Sequence, residues 1–357
     1  MKRTLLIPLI LVLAACDSDP AAAPEADSVL IANGGNFSDQ NGSVSRLALS
    51  DGLVSGGPVL DGFVQAAVPT PSGSLVLVNT FSGGRIDLLD TAGSRTGSVA
   101  DIPSPRGVVV DGTQAFATMF GFDGSGAVLT VDLTTGAATG DPIPVGAYPE
   151  GIARTGDRLL VANYGFIGSG RSLSVVNRAS GEVTTVEVAC DGPRDVHAVA
   201  GGEVAVVCQG KTVYNDDFSE VLEQTTGRVL FLDAETLALQ AAVAFDGQVG
   251  SSGGGEASAT SPEHLLVLDG AANRIRRVSL STRQEISSWE LSADGSYVGL
   301  SGIEHVGDRW YVGRMARAAG GAFPDFTAAG AVAVLDESGN EVGLHVVGPA
   351  PTHIAQD

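Results

Sequence analysis

The sequence predicts an all-β chain folded as a seven-bladed β-propeller whose C-terminal strand closes blade 1. Seven times an apolar run ends at a turn, at Asn33, Asn79, Met119, Asn163, Cys208, Asp269 and Gly313, with intervals of 46, 40, 44, 45, 61 and 44 residues. A period in that range marks a blade of four strands. Each run is followed by a second short apolar strand that enters a turn, at 47–52, 88–93, 131–136, 176–181, 231–236, 278–282 and 334–339. Finally, the segment opening at Pro351, Thr352, His353 and Ile354 reads like the innermost strands opening at Pro105 and Pro149.

With strands lettered A to D from the channel outward, the first series is strand B and the second is strand C running into the C–D turn. Asp90, Asp132, Asn177, Asp233 and Asp336 stand where such a turn needs a side chain that accepts from backbone two residues on. Blade 1 begins at Ser28 on a B strand, so residues 351–357 supply its A strand and leave no open sheet edge. A linear solenoid is the alternative. The chain has 48 Gly, its strands are rich in Val and Leu, and no long stretch has helical periodicity, so residues 28–357 form one domain.

Residues 1–15 read as a signal peptide. Lys2 and Arg3 precede an apolar run from Leu5 to Leu13, too short for the ~20 residues that span a bilayer. Leu13, Ala14, Ala15 and Cys16 match a bacterial lipoprotein cleavage box, which makes Cys16 the acylated first residue. Residues 16–27, rich in Asp, Ala and Pro, read as a disordered tether. Asp17 resembles an inner-membrane retention signal, while Asp17 with Asp19 resembles the surface-export signal of Bacteroidota lipoproteins. The expectation is a lipid-anchored envelope protein, on the outer membrane.

With 41 acidic and 20 basic residues the net charge is −21, a field that repels nucleic acid and anionic headgroups. Cys190, just before an A strand, and Cys208, at the end of the following B strand, fall on one face of neighbouring antiparallel strands. A disulfide is expected in an oxidising compartment, worth about 3 kcal/mol on the chain-entropy model; two separate buried thiols are the alternative.

The B–C and D–A loops emerge on one face around the central channel. Phe37, Phe81, Phe120, Phe122, Tyr164, Phe166, Tyr214, Phe218, Phe323 and Phe326 map to B–C loops and Tyr148 and Tyr297 to D–A loops, twelve of the 17 Phe and Tyr. The B–C connections at 208–228 and 313–330 are long insertions, which points to function. An aromatic rim with Gly nearby suits a flat, partly apolar ligand or a protein partner; packing over the sheet ends is the competing explanation. Tyr164 and Phe166 are expected beyond the strand ends, as ligand anchors. Arg106, Glu150, Arg194 and Asp195 open successive A strands near the channel mouth, either as an inter-blade ion-pair ring or as groups that hold polar parts of a ligand.

Asn33, Asn79, Asn163, Asp269 and Glu150 could hold Ca²⁺ or Mg²⁺ in the channel, but an Asn at a strand end ordinarily caps its own turn. His197, His264, His305, His345 and His353 lie in different blades without metal-ligand spacing. No cofactor and no catalytic residue is assigned.

Two stretches resemble a known family. They are Asn33, Gly34, Gly35, Asn36 and Phe37 followed by 41–45, and 145–152 with 159–165. They are similar to the YncE-type, YVTN-repeat bacterial propellers, and the first to BtuG-like surface lipoproteins that capture cobalamin beside a TonB-dependent transporter. The expectation is a monomeric propeller that binds a small molecule on its loop face, with Phe37, Phe81, Phe120, Phe122, Tyr148, Tyr164, Phe166, Arg106, Glu150 and Arg194 as the ligand-binding residues; the resemblance adds a corrinoid as the ligand. A lactonase-like hydrolase and an envelope scaffold are the alternatives.

Overall fold

The computed structural model describes residues 27–292 and 295–357, in which seven antiparallel sheets form the blades, six of four strands and one, blade 3, with its outer strand split in two, beside one separate two-stranded hairpin. The expected leader, Cys16 and the tether as far as residue 26 lie outside the described residues. The backbone carbonyl of Asp27 already accepts from Leu49 N–H, so the domain begins there.

The A strands of blades 1 to 7 are Pro351–Gln356, Phe63–Thr70, Pro105–Asp111, Pro149–Thr155, Pro193–Val199, Ser258–Thr260 and Tyr297–Val306. The B strands are Ser28–Asn33, Gly73–Thr80, Gln114–Phe120, Arg158–Asn163, Glu203–Cys208, His264–Asp269 and Arg309–Ala316. B strands read as unbroken apolar runs because each lies between A and C in its own sheet and under a neighbouring blade on each face. Leu159, Leu160, Val161 and Ala162 are all fully buried, which for a Val or Leu is worth about 1.5–3 kcal/mol. Outer D strands keep one face in solvent; Val54–Val59 is almost wholly exposed.

Seven apolar clusters fill the seven inter-blade contacts. One of them joins blade 7, through Val306, Tyr311, Val332 and Val334, to blade 1, through Val29, Ile31, Leu47 and Ile354. The ring is therefore closed, and Pro351–Gln356 pairs with Ser28–Asn33 as expected. Thr352 Oγ1 donates to the carbonyls of Ala32 and Val64, tying the closing strand to blade 2 as well. The turn residues behave as read: Asp90, Asp132, Asn177, Asp233 and Asp336 each accept from backbone N–H groups two to four residues on. Those bonds hold the carboxylates of Asp132 and Asp233 below the usual range, and at Asp336 the Asn340 side-chain amide does so first, with the backbone N–H groups adding to it.

Three local expectations are corrected. The strand at Gly313 continues to Ala316, because Arg314, which ends the apolar run in sequence, is buried against Glu341, the Ser292 carbonyl and the Tyr297 ring. The insertion at 208–228 is not strandless, since Thr212–Tyr214 pairs with Val221–Gln224 as a hairpin. Asn33 and Asn163 do not cap their own turns; their Nδ2 groups donate to Ser43 and Ser45 and to Ser172 and Ser174 on strand C.

Candidate functional site

One irregularity, repeated in four consecutive blades, builds the channel lining. The A strands of blades 2 to 5 each shift register just inside their start, between Val64 and Ala66, Pro105 and Val108, Pro149 and Ile152, and Pro193 and Asp195. A bulge re-aims a side chain that would otherwise alternate with the pleat. Here the re-aimed residues are Gln65, Arg106, Glu150 and Arg194, and all four line one polar channel cavity of about 160 Å³. The inner strands approach so closely that a Cβ on Gly107 would lie 2.6 Å from the Glu150 carbonyl, and one on Gly151 would lie 2.5 Å from that of Arg194.

The four residues form one network. Arg106 pairs with Glu150 at 2.9 Å and donates to Gln65 Oε1 at 2.7 Å. Arg194, only 8% exposed, donates to Gln209 Oε1 at 2.8 Å and to the Gly255 carbonyl at 3.0 Å. Burial disfavours the Arg194 charge, but the Glu150 and Asp195 carboxylates outweigh it and raise its pKa. The Gly254 carbonyl, from the glycine-rich segment at 250–255 that leads into blade 6, receives Gln65 at 3.0 Å, Arg106 at 3.3 Å and Arg194 at 2.9 Å. That segment crosses the channel mouth, pinned by blades 2, 3 and 5.

Below it lie groups kept neutral by burial. Burial, with Asp195 and Glu304 nearby, pushes the Glu256 carboxyl well up, and Glu304 is raised to about 7. His353, 3.6 Å from Glu256, is pushed down to about 4. Ser258 is fully buried and gives its proton to Asp195 Oδ2 at 2.8 Å, while His197 Nε2 sits 2.8 Å from the same hydroxyl. With its proton on the carboxylate side and no access, this serine is a structural link rather than a nucleophile.

Above the network, the aromatic residues divide in two. Phe37, Phe63, Phe81 and Phe122 surround an apolar pocket of about 360 Å³ over blades 1 to 3, floored by Gln65, Arg106, Gly253 and Gly254. Phe37 meets Phe81 edge-on at 5.0 Å and Phe63 at 6.4 Å, and Phe122 overhangs at 90% exposure. Over blades 3 and 4, Phe120, Tyr148 and Phe166 stack on one another at 5.0 and 5.8 Å. Phe120 and Tyr164 lie beside Arg106 and Arg194 at 5.9 and 5.7 Å. Tyr164, one residue past the strand end at Asn163 as expected, is nonetheless half-buried against a channel arginine rather than free at the rim, and burial raises its pKa. Tyr214 and Phe218 contact each other on the blade 5 hairpin, away from both groups.

Of the residues read from sequence, Phe37, Phe81, Phe122 and Arg106 meet at the pocket, Glu150 and Arg194 lie in the channel, and Phe120, Tyr148, Tyr164 and Phe166 adjoin it. The set Asn33, Asn79, Asn163, Asp269 and Glu150 is not brought together. Asn79 donates to the Pro105 carbonyl, Asp269 pairs with Arg274 and Glu150 with Arg106. Cys190 and Cys208 are joined in a disulfide with Cα atoms 6.2 Å apart. Sequence reading missed Phe63, Gln65, Glu256 and the 250–255 segment; a run of Gly and Ser before an A strand was the available signal for the last.

No family model and no curated protein sequence matches the chain. Solved structures do match its fold. A functionally unknown protein from Desulfotomaculum acetoxidans is 13% identical with a TM-score of 0.66, over 92% of this chain and 98% of that one. Hydrazine synthase of Kuenenia stuttgartiensis is 16% identical with a TM-score of 0.62, over 84% and 90%. The dihydro-heme d1 dehydrogenase NirN, in complex with DHE, is 14% identical with a TM-score of 0.55, over 96% and 78%. The chain shares the β-propeller fold with these proteins.

Proposed function

We propose that this protein is a ligand-binding propeller that captures a flat, partly apolar molecule at the loop face over blades 1 to 3. The carrying observation is the 360 Å³ pocket framed by Phe37, Phe63, Phe81 and Phe122 beside the channel mouth. A concave apolar surface with a few polar groups at its floor is the ordinary form of a small-molecule site, and exposed aromatics gathered there lose water on binding. The arginines serve the fold on this reading, because both are held by Glu150, Gln65, Gln209 and backbone carbonyls.

The finer reading follows the sequence resemblance to YncE-type and BtuG-like propellers: a monomer anchored through Cys16 on the outer membrane, taking a corrinoid and passing it to a TonB-dependent transporter. NirN, of like fold, was solved in complex with DHE; a corrinoid, a broad macrocycle, would lie across the aromatic face with one edge in the pocket. The reading uses no cofactor. Calorimetry of the purified protein against cobalamin, cobinamide and a lactone panel tests it. Saturable heat with a corrinoid supports capture, sustained heat with a lactone supports a hydrolase, and silence throughout favours an envelope scaffold.

A further inference from the structure

The pocket and the channel cavity share a partition, Gln65, Arg106 and Gly254, which lines both. The acceptors on that partition are taken. Gln65 Oε1 receives Arg106, and the Gly254 and Gly255 carbonyls receive the arginines and, at Gly255, Ser251 Oγ at 2.7 Å. Asn79 Oδ1, on the pocket wall, has no partner but is shielded from solvent. The donors are in the opposite state: the backbone N–H groups of Gly253, Gly254 and Gly255 donate to no atom among the described residues.

Three successive free amides in a row are unusual; Gly253 and Gly254 line the aromatic pocket, and the buried Gly255 continues the segment onto the channel side of the partition. Buried backbone N–H groups are almost always paired, with protein, water or ligand. The sequence is also demanding here. Gly254 has φ +72°, and a Cβ on Gly255 would lie 1.8 Å from the Thr352 carbonyl. Consecutive backbone amides in a glycine-rich segment form a concavity that receives an anion or a carbonyl oxygen.

Resting on the aromatic-pocket reading, we propose that the amides of residues 253–255 bind an acceptor oxygen of the captured molecule, a carboxylate or carboxamide oxygen carried on its apolar ring. The aromatic residues then supply the area and this segment supplies polar selectivity. A ligand without such an oxygen leaves the amides unpaired while filling the same pocket.

The test uses three probes, 2-naphthoate, 2-naphthamide and 2-methylnaphthalene, titrated into the protein labelled with ¹⁵N-glycine and followed by amide and aromatic resonances. Both oxygen-bearing probes should bind about tenfold or more tighter than 2-methylnaphthalene, the discrimination one well-made hydrogen bond gives. The amide protons of residues 253–255 should move downfield as they saturate. Equal affinities, with the Phe37 and Phe81 rings perturbed and these amides unmoved, would overturn this inference and leave the pocket standing. No perturbation of rings or amides by any probe at millimolar concentration would overturn the pocket reading and this inference with it.

Discussion

The two halves of the aromatic face carry the same residue types at the same loop positions and use them differently. Over blades 1 to 3 the rings surround an open pocket; over blades 3 to 5 they lie on each other and beside Arg106 and Arg194. The difference comes from what lies beneath. On the second side the bulged residues are Arg, Glu and Arg, whose buried charges need covering, and an aromatic face over a guanidinium supplies that. On the first side the floor is the neutral Gln65 with the edge of Arg106, whose guanidinium already lies over Phe120, and the rings above are left around an open pocket. The second half is also stapled, since Cys190 and Cys208 sit in the cluster between blades 4 and 5. Aromatic residues at a rim become a binding surface only where the layer below makes no claim on them.

Removing residues 351–357 breaks both halves at once. It strips Ile354 and Thr352, both fully buried, from the blade 7 to blade 1 seam and exposes strand Ser28–Asn33. Loss of a single cooperative melting transition is expected by calorimetry; a deletion protein that melts like the parent would sink the closure.

Arg194→Met strikes the stapled half alone. It leaves Glu150 short of a compensating charge, Gln209 Oε1 without its donor and the Gly254 and Gly255 carbonyls with one donor fewer, and breaking one side of a buried charged network costs about 3–5 kcal/mol. Denaturant unfolding should show that loss. Replacing Cys190 and Cys208 by Ser should lower stability by about 3 kcal/mol on the same measurement, and parent protein reduced under native conditions should approach that value.

The comparison sharpens on single rings. Phe37→Ala and Phe81→Ala should each weaken 2-naphthoate binding by about 1–3 kcal/mol, as loss of a desolvated anchor does, with little change in melting temperature. Tyr164→Ala should do the reverse, losing about 1–2 kcal/mol of stability with its contact to Arg194 and leaving probe affinity alone. If both kinds of variant behave alike, the two halves are not distinct.

The smallest effect is a pH dependence from the channel. Glu304 titrates near 7 when folded against 4.5 as its ordinary value, so the folded state holds the proton more tightly. Its contribution is complete below the ordinary value and fades as pH rises toward and through 7. His353 runs oppositely: with its folded value near 4 against 6.5, its contribution is present above 6.5 and is lost as pH falls through 4. Glu304→Gln should therefore flatten the decline in unfolding free energy between about pH 5 and 7; an unchanged slope would remove Glu304 as its source.

The ring was legible because its evidence is local. B strands are buried on two faces and so read as uninterrupted apolar runs, and each C–D turn carries its own Asp or Asn. The disulfide was legible because strand order alone brings Cys190 to Cys208. The floor of the site was not, because its contacts span the channel: Gln65 meets the Gly254 carbonyl across 189 residues of sequence. No periodicity links them. The role of Asn33 and Asn163 did have a local mark, a pair of serines ten to twelve or nine to eleven residues on. Tyr164 looked like its neighbour Phe166 because nothing in the loop tells which ring lies over a guanidinium 30 residues later.

The seam between Ser28–Asn33 and Pro351–Gln356 also sets a timetable. Strand Ser28–Asn33 waits for Pro351–Gln356, its partner on the channel side, which lies six blades further along the chain. Pairings this distant in sequence form slowly, and until they do, the first sheet presents a bare edge to anything nearby. Synthesis from one end to the other thus cannot complete this ring piecemeal. Until that seam closes, the open edge of the first sheet is a surface on which a second copy of the chain can add a strand.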